Sequence, residues 1–277
     1  MQLNCAGRVL DLSRPQVMGV LNVTPDSFFD GGQFDDVSRA LKQVEKMVSE
    51  GAAIIDVGGE STRPGADIVE LQQELDRVLP VIEAITTEFP VIVSIDSYKA
   101  EVMRQAVAVG AGLVNDVYGL RGEGVLDVVS KIDAPVCVCI MHMQGKPKTM
   151  QKAPQYENVV QAVDDFFAER IQACGRYGIA KERIILDPGF GFGKTLDHNL
   201  TLMKNLALFA HLGCALLAGV SRKSMIGAML DKPVEQRLYG SLALATLAVW
   251  QGARIIRAHD VAATVDAVHV ANRVLDV

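Results

Sequence analysis

Cysteine, aromatic residues, positive charge and long apolar runs are all in short supply in this chain. Five of its 277 residues are cysteine. Cys5, Cys137, Cys139, Cys174 and Cys214 are odd in number and scattered, which argues against a disulfide framework and leads us to expect reduced thiols in a cytoplasmic setting. Cys137 and Cys139 alternate on one strand face without any CxxC or Cys/His spacing, so they read as core thiols rather than metal ligands. Acids outnumber Lys and Arg by 33 to 27, for a net charge of −6. That balance speaks against nucleic acid or an acidic membrane face as the main partner. No apolar run approaches the roughly 20 residues of a membrane span, and the first residues show no basic segment followed by an apolar one. The chain therefore reads as soluble.

What it does have is apolar material for a core, 49% of residues although only 5% are aromatic, and a repetition. Short apolar runs end abruptly in polar residues at Asn22, Gly58-Gly59-Glu60, Asp96, Asn115-Asp116, Met141-His142, Asp187, Ser221-Arg222-Lys223 and Arg257-Ala258-His259. Strands are predicted at 16–21, 53–58, 91–95, 113–117, 136–141, 183–187, 214–219 and 253–257. Their hydrophobicity is continuous rather than alternating, as in strands buried on both faces of a parallel sheet. Between them lie stripes at helical spacing, such as Val37, Leu41, Val44 and Val48, or Leu71, Leu75, Val78, Leu79 and Ile82. Gly51, Gly110, Gly178 and Gly252 each precede a strand, where a helix C-terminus often needs a left-handed residue.

Eight such units in a chain of this length favour a closed (β/α)8 TIM barrel over an open doubly wound sheet. Residues 3–12, with Gly7 in the middle, read as a short N-terminal β-hairpin. No linker or compositional break divides residues 1–277, so one domain is expected. In a closed barrel all the polar strand ends emerge on the C-terminal rim, where such folds carry their active sites. The segment 241–250 is nearly apolar all round, where an outer helix should have a wet face, so it is either covered by a neighbouring element or forms a subunit interface, and a homodimer is expected.

Asp187-Pro188-Gly189-Phe190-Gly191-Phe192-Gly193-Lys194-Thr195 imitates a phosphate-binding loop, but Pro188 stands where the first glycine belongs. It reads better as a glycine-rich turn that lets backbone or ligand approach closely, with Phe190 either walling a pocket or packing inside. Asp96, Asn115 and Asp187 close three strands. Together they could read a flat heterocycle with several N–H donors, an aminopyrimidinone edge for example. Ser221-Arg222-Lys223-Ser224 opens a helix, and two cations at a helix N-terminus make an anion site. Lys223 could alternatively form a Schiff base with a carbonyl substrate. Arg257 and His259 share one side of the last strand, and Arg257 could stack on a ring or pair with phosphate. The loops 22–32 and 58–65 are rich in turn residues and placed to close over a reaction.

Six blocks then carry a resemblance: Gly19-Val20-Leu21-Asn22-Val23-Thr24-Pro25-Asp26-Ser27-Phe28, the stretch 58–65, Ser94-Ile95-Asp96-Ser97, Asn115-Asp116, the segment from Asp187 to Lys194, and the one from Gly219 to Lys223. The chain resembles the dihydropteroate synthases in their bacterial, single-domain form. The resemblance implies that para-aminobenzoate displaces diphosphate from 6-hydroxymethyl-7,8-dihydropterin diphosphate. It implies that Asp96, Asn115, Asp187 and Lys223 hold the pterin, with Arg257 on its face, and that Asn22 ligates Mg²⁺ on the diphosphate. Arg257, His259 and the first loop would bind the leaving group. Thr62, Arg63, Pro64, Phe190 and Ser221 would frame the aminobenzoate site, which sulfonamides imitate. Asp96, Lys223 and Arg257 are then the residues on which the reaction chiefly depends. The rival readings are a pterin-binding methyltransferase, a Schiff-base aldolase, and a catalytically silent pterin-binding barrel.

Overall fold

The computed structural model describes residues 1–24, 33–61, 68–132, 134–145 and 149–277, with the side chains of residues 33–35 left aside. Eight parallel strands close into a barrel: β3 (Gln16–Asn22), β4 (Ile54–Gly58), β5 (Ile92–Asp96), β6 (Leu113–Asp116), β7 (Cys137–Met141), β8 (Ile184–Asp187), β9 (Ala215–Ala218) and β10 (Ile255–Ala258), with β10 returning to pair β3. Each lies within two residues of the predicted run. The helices between them are α1 (Gln33–Ser49), α2 (Leu71–Glu88), α3 (Ala100–Ala108), α4 (Val125–Ser130), α5 (Val159–Arg176), α6 (Leu196–Lys204), α7 (Ser224–Leu230), α8 (Leu238–Trp250) and α9 (Val261–Leu275). Gly51, Gly110, Gly178 and Gly252 all have positive φ, from 77° to 110°, the conformation that lets each helix stop and turn into its strand.

The apolar stripes face the barrel as their spacing requires, with shifts at the edges. On α1 the fully buried positions are Ala40 and Val44, with Met47 nearly so, while Val37, Leu41 and Val48 are only partly covered. Leu71 opens α2 and stays exposed.

The strands β1 (Gln2–Cys5) and β2 (Arg8–Asp11) form the antiparallel hairpin. Leu3, Cys5, Leu10 and Leu12 bury against Met18, Ile54, Ile92, Leu113, Cys137, Ile185, Leu217 and Ile255, most of them the first inward residues of the barrel strands. Ala6 N–H donates to the Pro135 carbonyl at 3.1 Å, and the Arg8 guanidinium donates to the Phe89 and Val91 carbonyls at 3.0 and 2.8 Å. The hairpin therefore closes the N-terminal end of the barrel, leaving its interior accessible from the C-terminal rim. All five cysteines are buried free thiols. No described helix is long and apolar enough to cross a membrane.

Candidate active site

Strand alternation decides which polar residues point into the barrel. With Ile54, Ile92, Leu113, Cys137, Ile185 and Ile255 inward at the closed end, the same parity carries Asp56, Gly58, Ser94, Asp96, Asn115, Asp187 and Arg257 inward above them. Register stacks them in levels. Asp56 pairs Ser94 across β4 and β5; one step higher Asn22, Gly58, Asp96 and Asn115 stand side by side on four adjacent strands. Gly58 contributes no side chain at this level. A Cβ there would lie 3.8 Å from both Asn22 Oδ1 and Asp96 Oδ2, so its absence opens a gap between two oxygen donors.

Arg257 is the hub of the floor. Its Nε donates to Asp56 Oδ2 at 2.6 Å and its Nη2 to Asp96 Oδ2 at 2.9 Å, while Asn115 Nδ2 donates to the same Asp56 oxygen at 3.1 Å. Burial works against the guanidinium charge, and the carboxylates, Asp56 first, overcome it, raising its pKa. Asp96 is pushed up to about 7 by burial and then by the facing Asp56 charge, with Arg257 pulling the other way. Two carboxylates thus share one guanidinium, and one of them titrates near neutrality.

On the far side, Asp187 Oδ2, Lys223 Nζ and Arg257 Cβ all lie 3.8 Å from where a Cβ on Gly219 would sit. Burial raises the Asp187 pKa, against Lys223. Burial lowers Lys223 to about 8, Asp187 opposing and Arg257 assisting. The Lys223 ammonium donates to the Phe190 carbonyl and lies 4.6 Å from the Phe192 ring centroid. Three buried oxygens in the well, Asp56 Oδ1, Ser94 Oγ and Asp96 Oδ1, have no hydrogen-bond partner. An orphaned buried acceptor costs about 1–3 kcal/mol, so this floor is built to receive N–H or O–H donors from a ligand.

The rim is assembled from the last two barrel strands. Ser221 Oγ accepts from the His259 N–H at 3.2 Å and lies 3.0 Å from His259 Nδ1, which brings these predicted residues together. Arg222 is the exception among the expected cations. Its backbone turns through φ 57°, its N–H donates to Ser241 Oγ at 2.9 Å, and its guanidinium pairs with Asp260 instead of facing the mouth. The helix itself starts three residues later than expected, at Ser224, which leaves Ser221 and Arg222 in the turn before it.

Phe190 is wholly buried in the main core, so its side chain packs while its carbonyl meets Lys223; the exposed-side ring belongs to Phe192, which joins Tyr98, Tyr118, Val117, Met141, Met143 and Met150 in a small apolar cluster. Thr62, Arg63 and Pro64, together with most of the first loop, lie outside the described residues. Asp56 and Phe192 are the site residues that reading the sequence misses. Asp56 was hidden in an apolar strand, yet a carboxylate with inward parity in a doubly buried strand is itself a signal.

Carboxylates and an amide, with a lysine and an arginine among them, gathered at the C-terminal ends of a closed parallel barrel define the class: a barrel enzyme with a polar site at its rim. The model of the pterin-binding enzymes matches residues 18–259. The chain is 56% identical over 270 residues to the dihydropteroate synthase of Haemophilus influenzae, covering 98% of each. Its fold matches a Yersinia pestis dihydropteroate synthase solved as a sulfonamide drug complex, with a TM-score of 0.95, 48% identity and full coverage of both chains. It also matches a Xanthomonas albilineans dihydropteroate synthase solved with 4-aminobenzoic acid, with a TM-score of 0.93, 48% identity, and coverage of 100% of this chain and 98% of that one. The chain belongs to the pterin-binding enzyme family, among its dihydropteroate synthases.

Proposed function

We propose that this chain condenses 6-hydroxymethyl-7,8-dihydropterin diphosphate with para-aminobenzoate, giving 7,8-dihydropteroate and diphosphate. The observation that carries the reading is the well itself: orphaned acceptor oxygens on Asp56, Ser94 and Asp96 at its floor, with Asp187 and Lys223 facing each other across Gly219. An aminopyrimidinone edge presents N–H donors to carboxylates and acceptors to an ammonium and an amide, which is the complement of this set. Asp96, Asn115, Asp187 and Lys223 hold the pterin; the Arg257 guanidinium lies against its face.

The chemistry needs orientation more than a base. The neutral aromatic amine attacks the exocyclic carbon; one C–N bond forms, the C–O bond to diphosphate breaks, and the amine's proton passes to water or to the departing diphosphate. Positive charge developing at that carbon spreads into the ring, where the carboxylates of the well stabilise it. His259 from the rim and Arg257 from below it supply positive charge and hydrogen-bond donors for the leaving group. Thr62, Arg63, Pro64, Ser221 and the Phe190 loop frame the aminobenzoate, and sulfonamides compete in that frame.

Among the described residues no group of three or more His, Cys, Asp or Glu could hold a metal ion, but the amide oxygen of Asn22 beside Gly58 is a hard donor, and Mg²⁺ needs few protein ligands when it shares a substrate's phosphates. Asn22 would hold it, and when bound it neutralises the diphosphate's charge. Residues 1–277 act as one unit in a cytoplasmic homodimer. α8 and α9 pack together, and α8 leaves Tyr239, Leu247 and Trp250 exposed, while the exposed side of α9 mixes Val270 and Val274 with Asp266, His269 and Arg273. The deciding assay is diphosphate release from the pterin diphosphate with Mg²⁺. Release that requires para-aminobenzoate and yields dihydropteroate is expected; tight pterin binding without release would sink the reading.

A further inference from the structure

The glycine-rich segment after β8 imitates a phosphate loop in sequence, but side chains engage its carbonyls. A phosphate loop aims N–H groups at its anion. Here six consecutive carbonyls, from Gly189 to Lys194, accept from side chains. Gly189 and Phe192 accept from Lys194 Nζ at 3.0 and 3.1 Å, Phe190 from Lys223, Gly191 from Gln151, Gly193 from the Tyr156 hydroxyl at 2.9 Å, and Lys194 from Asn199 Nδ2 at 3.5 Å. A surface of carbonyl oxygens repels a diphosphate and attracts ammonium groups. The Asn199 side chain also accepts the Gly191 N–H at 2.7 Å, fixing the crest of the loop from α6.

Lys194 stands at the centre of this wiring and is only 3% exposed. Besides its two loop carbonyls, its ammonium reaches the His142 carbonyl at 3.2 Å and His142 Nδ1 at 2.9 Å, just past the end of β7. Burial, reinforced by the Lys194 charge, brings the His142 imidazole down to about 2, so the ring is neutral and its Nδ1 can accept a hydrogen bond from the Lys194 ammonium. The loop so tied touches Lys223 at three successive residues. The Phe190 carbonyl accepts from its ammonium, a Cβ on Gly191 would lie 3.3 Å from its Cδ, and the Phe192 ring faces its Nζ at 4.6 Å.

We propose that Lys194 is a positioning residue for the pterin site: by binding the Gly189 and Phe192 carbonyls to the end of β7, it holds the Phe190–Phe192 crest that stations the Lys223 ammonium beside Asp187. This rests on the reading that Lys223 holds the pterin. Lys194 itself touches no substrate.

The test measures pterin diphosphate affinity by calorimetry, without aminobenzoate, for the full-length protein and its Lys194→Met, Lys223→Met and Asn199→Ala variants. Turnover is followed alongside. For Lys194→Met we expect about tenfold weaker pterin binding, the worth of one charge-assisted hydrogen bond, with a matching rise in pterin KM and kcat changed less than about twofold. A purely structural lysine would lower the melting temperature and the active fraction while leaving the affinity of the folded molecules alone; wild-type affinity in folded Lys194→Met overturns the proposal. Should Lys194→Met fail to fold, Asn199→Ala decides, since it loosens the same crest without burying a cavity of charge. Weaker pterin binding there supports the proposal, and unchanged binding overturns it. Undiminished affinity in Lys223→Met would instead overturn the reading of the site on which the proposal stands.

Discussion

At the scale of single residues, the behaviour of the well is set by two groups that burial brings toward neutrality from opposite sides, a carboxyl that keeps its proton longer than usual and an ammonium that gives it up sooner. Asp96, at about 7, must be a carboxylate to accept from the pterin, so affinity rises as pH climbs through that value. Lys223, at about 8, must be an ammonium to donate, so affinity falls as pH climbs past it. Pterin affinity is therefore expected to peak between about 7 and about 8. Asp96→Asn should cost about ten- to a hundredfold in affinity and flatten the acid limb while leaving the alkaline one; a titration by calorimetry that keeps both limbs would refute the assignment. The rim and floor residues Asn22, Asp96, Asn115, Asp187 and Lys223 are legible in the sequence because each ends an apolar run. Asp56 is not, since it sits two residues short of its strand's end and its partner Arg257 is 201 positions away. Nor is the fate of Arg222, whose partner Asp260 lies 38 positions on. Ion pairs of that kind have no period to read.

At the scale of elements, strands and helices are legible because burial on both faces imposes unbroken apolar runs, and the left-handed glycines mark where helices yield to strands. Loops carry no such rhythm. In the turn after β8 nothing in the alternation of Phe190 and Phe192 says which ring goes inward, and only the packing assigns Phe190 to the core. The same turn makes a stability prediction. Gly189 has φ 68°, and a Cβ there would lie 2.0 Å from the His142 carbonyl oxygen, an impossible approach to backbone. Gly189→Ala should lose at least about 3 kcal/mol of unfolding free energy, read from a urea melt. A loss under about 1 kcal/mol would mean that the loop can move aside, against its dense side-chain anchoring.

At the scale of the whole molecule, α8 presents large apolar side chains to solvent, with Trp250 at 55% and Leu247 at 49% exposure. A second copy is the occupant we expect. The protein should run in light scattering at twice its 29.9 kDa chain mass, and Trp250→Glu with Leu247→Glu should shift it to the single-chain mass without loss of secondary structure. A wild-type protein of single-chain mass at micromolar concentration would remove this face from consideration.

The hairpin across the far end of the barrel has a consequence for traffic. With that end stoppered, the described residues leave the C-terminal rim as the way in, and we expect whatever seats deepest to go through it first. A molecule resting against the Asp56 and Asp96 floor arrives before anything that lodges near Ser221 and His259, and an amine that takes the doorway early delays the ring behind it. The joined product, spanning both depths, must back out whole by the path its halves came in.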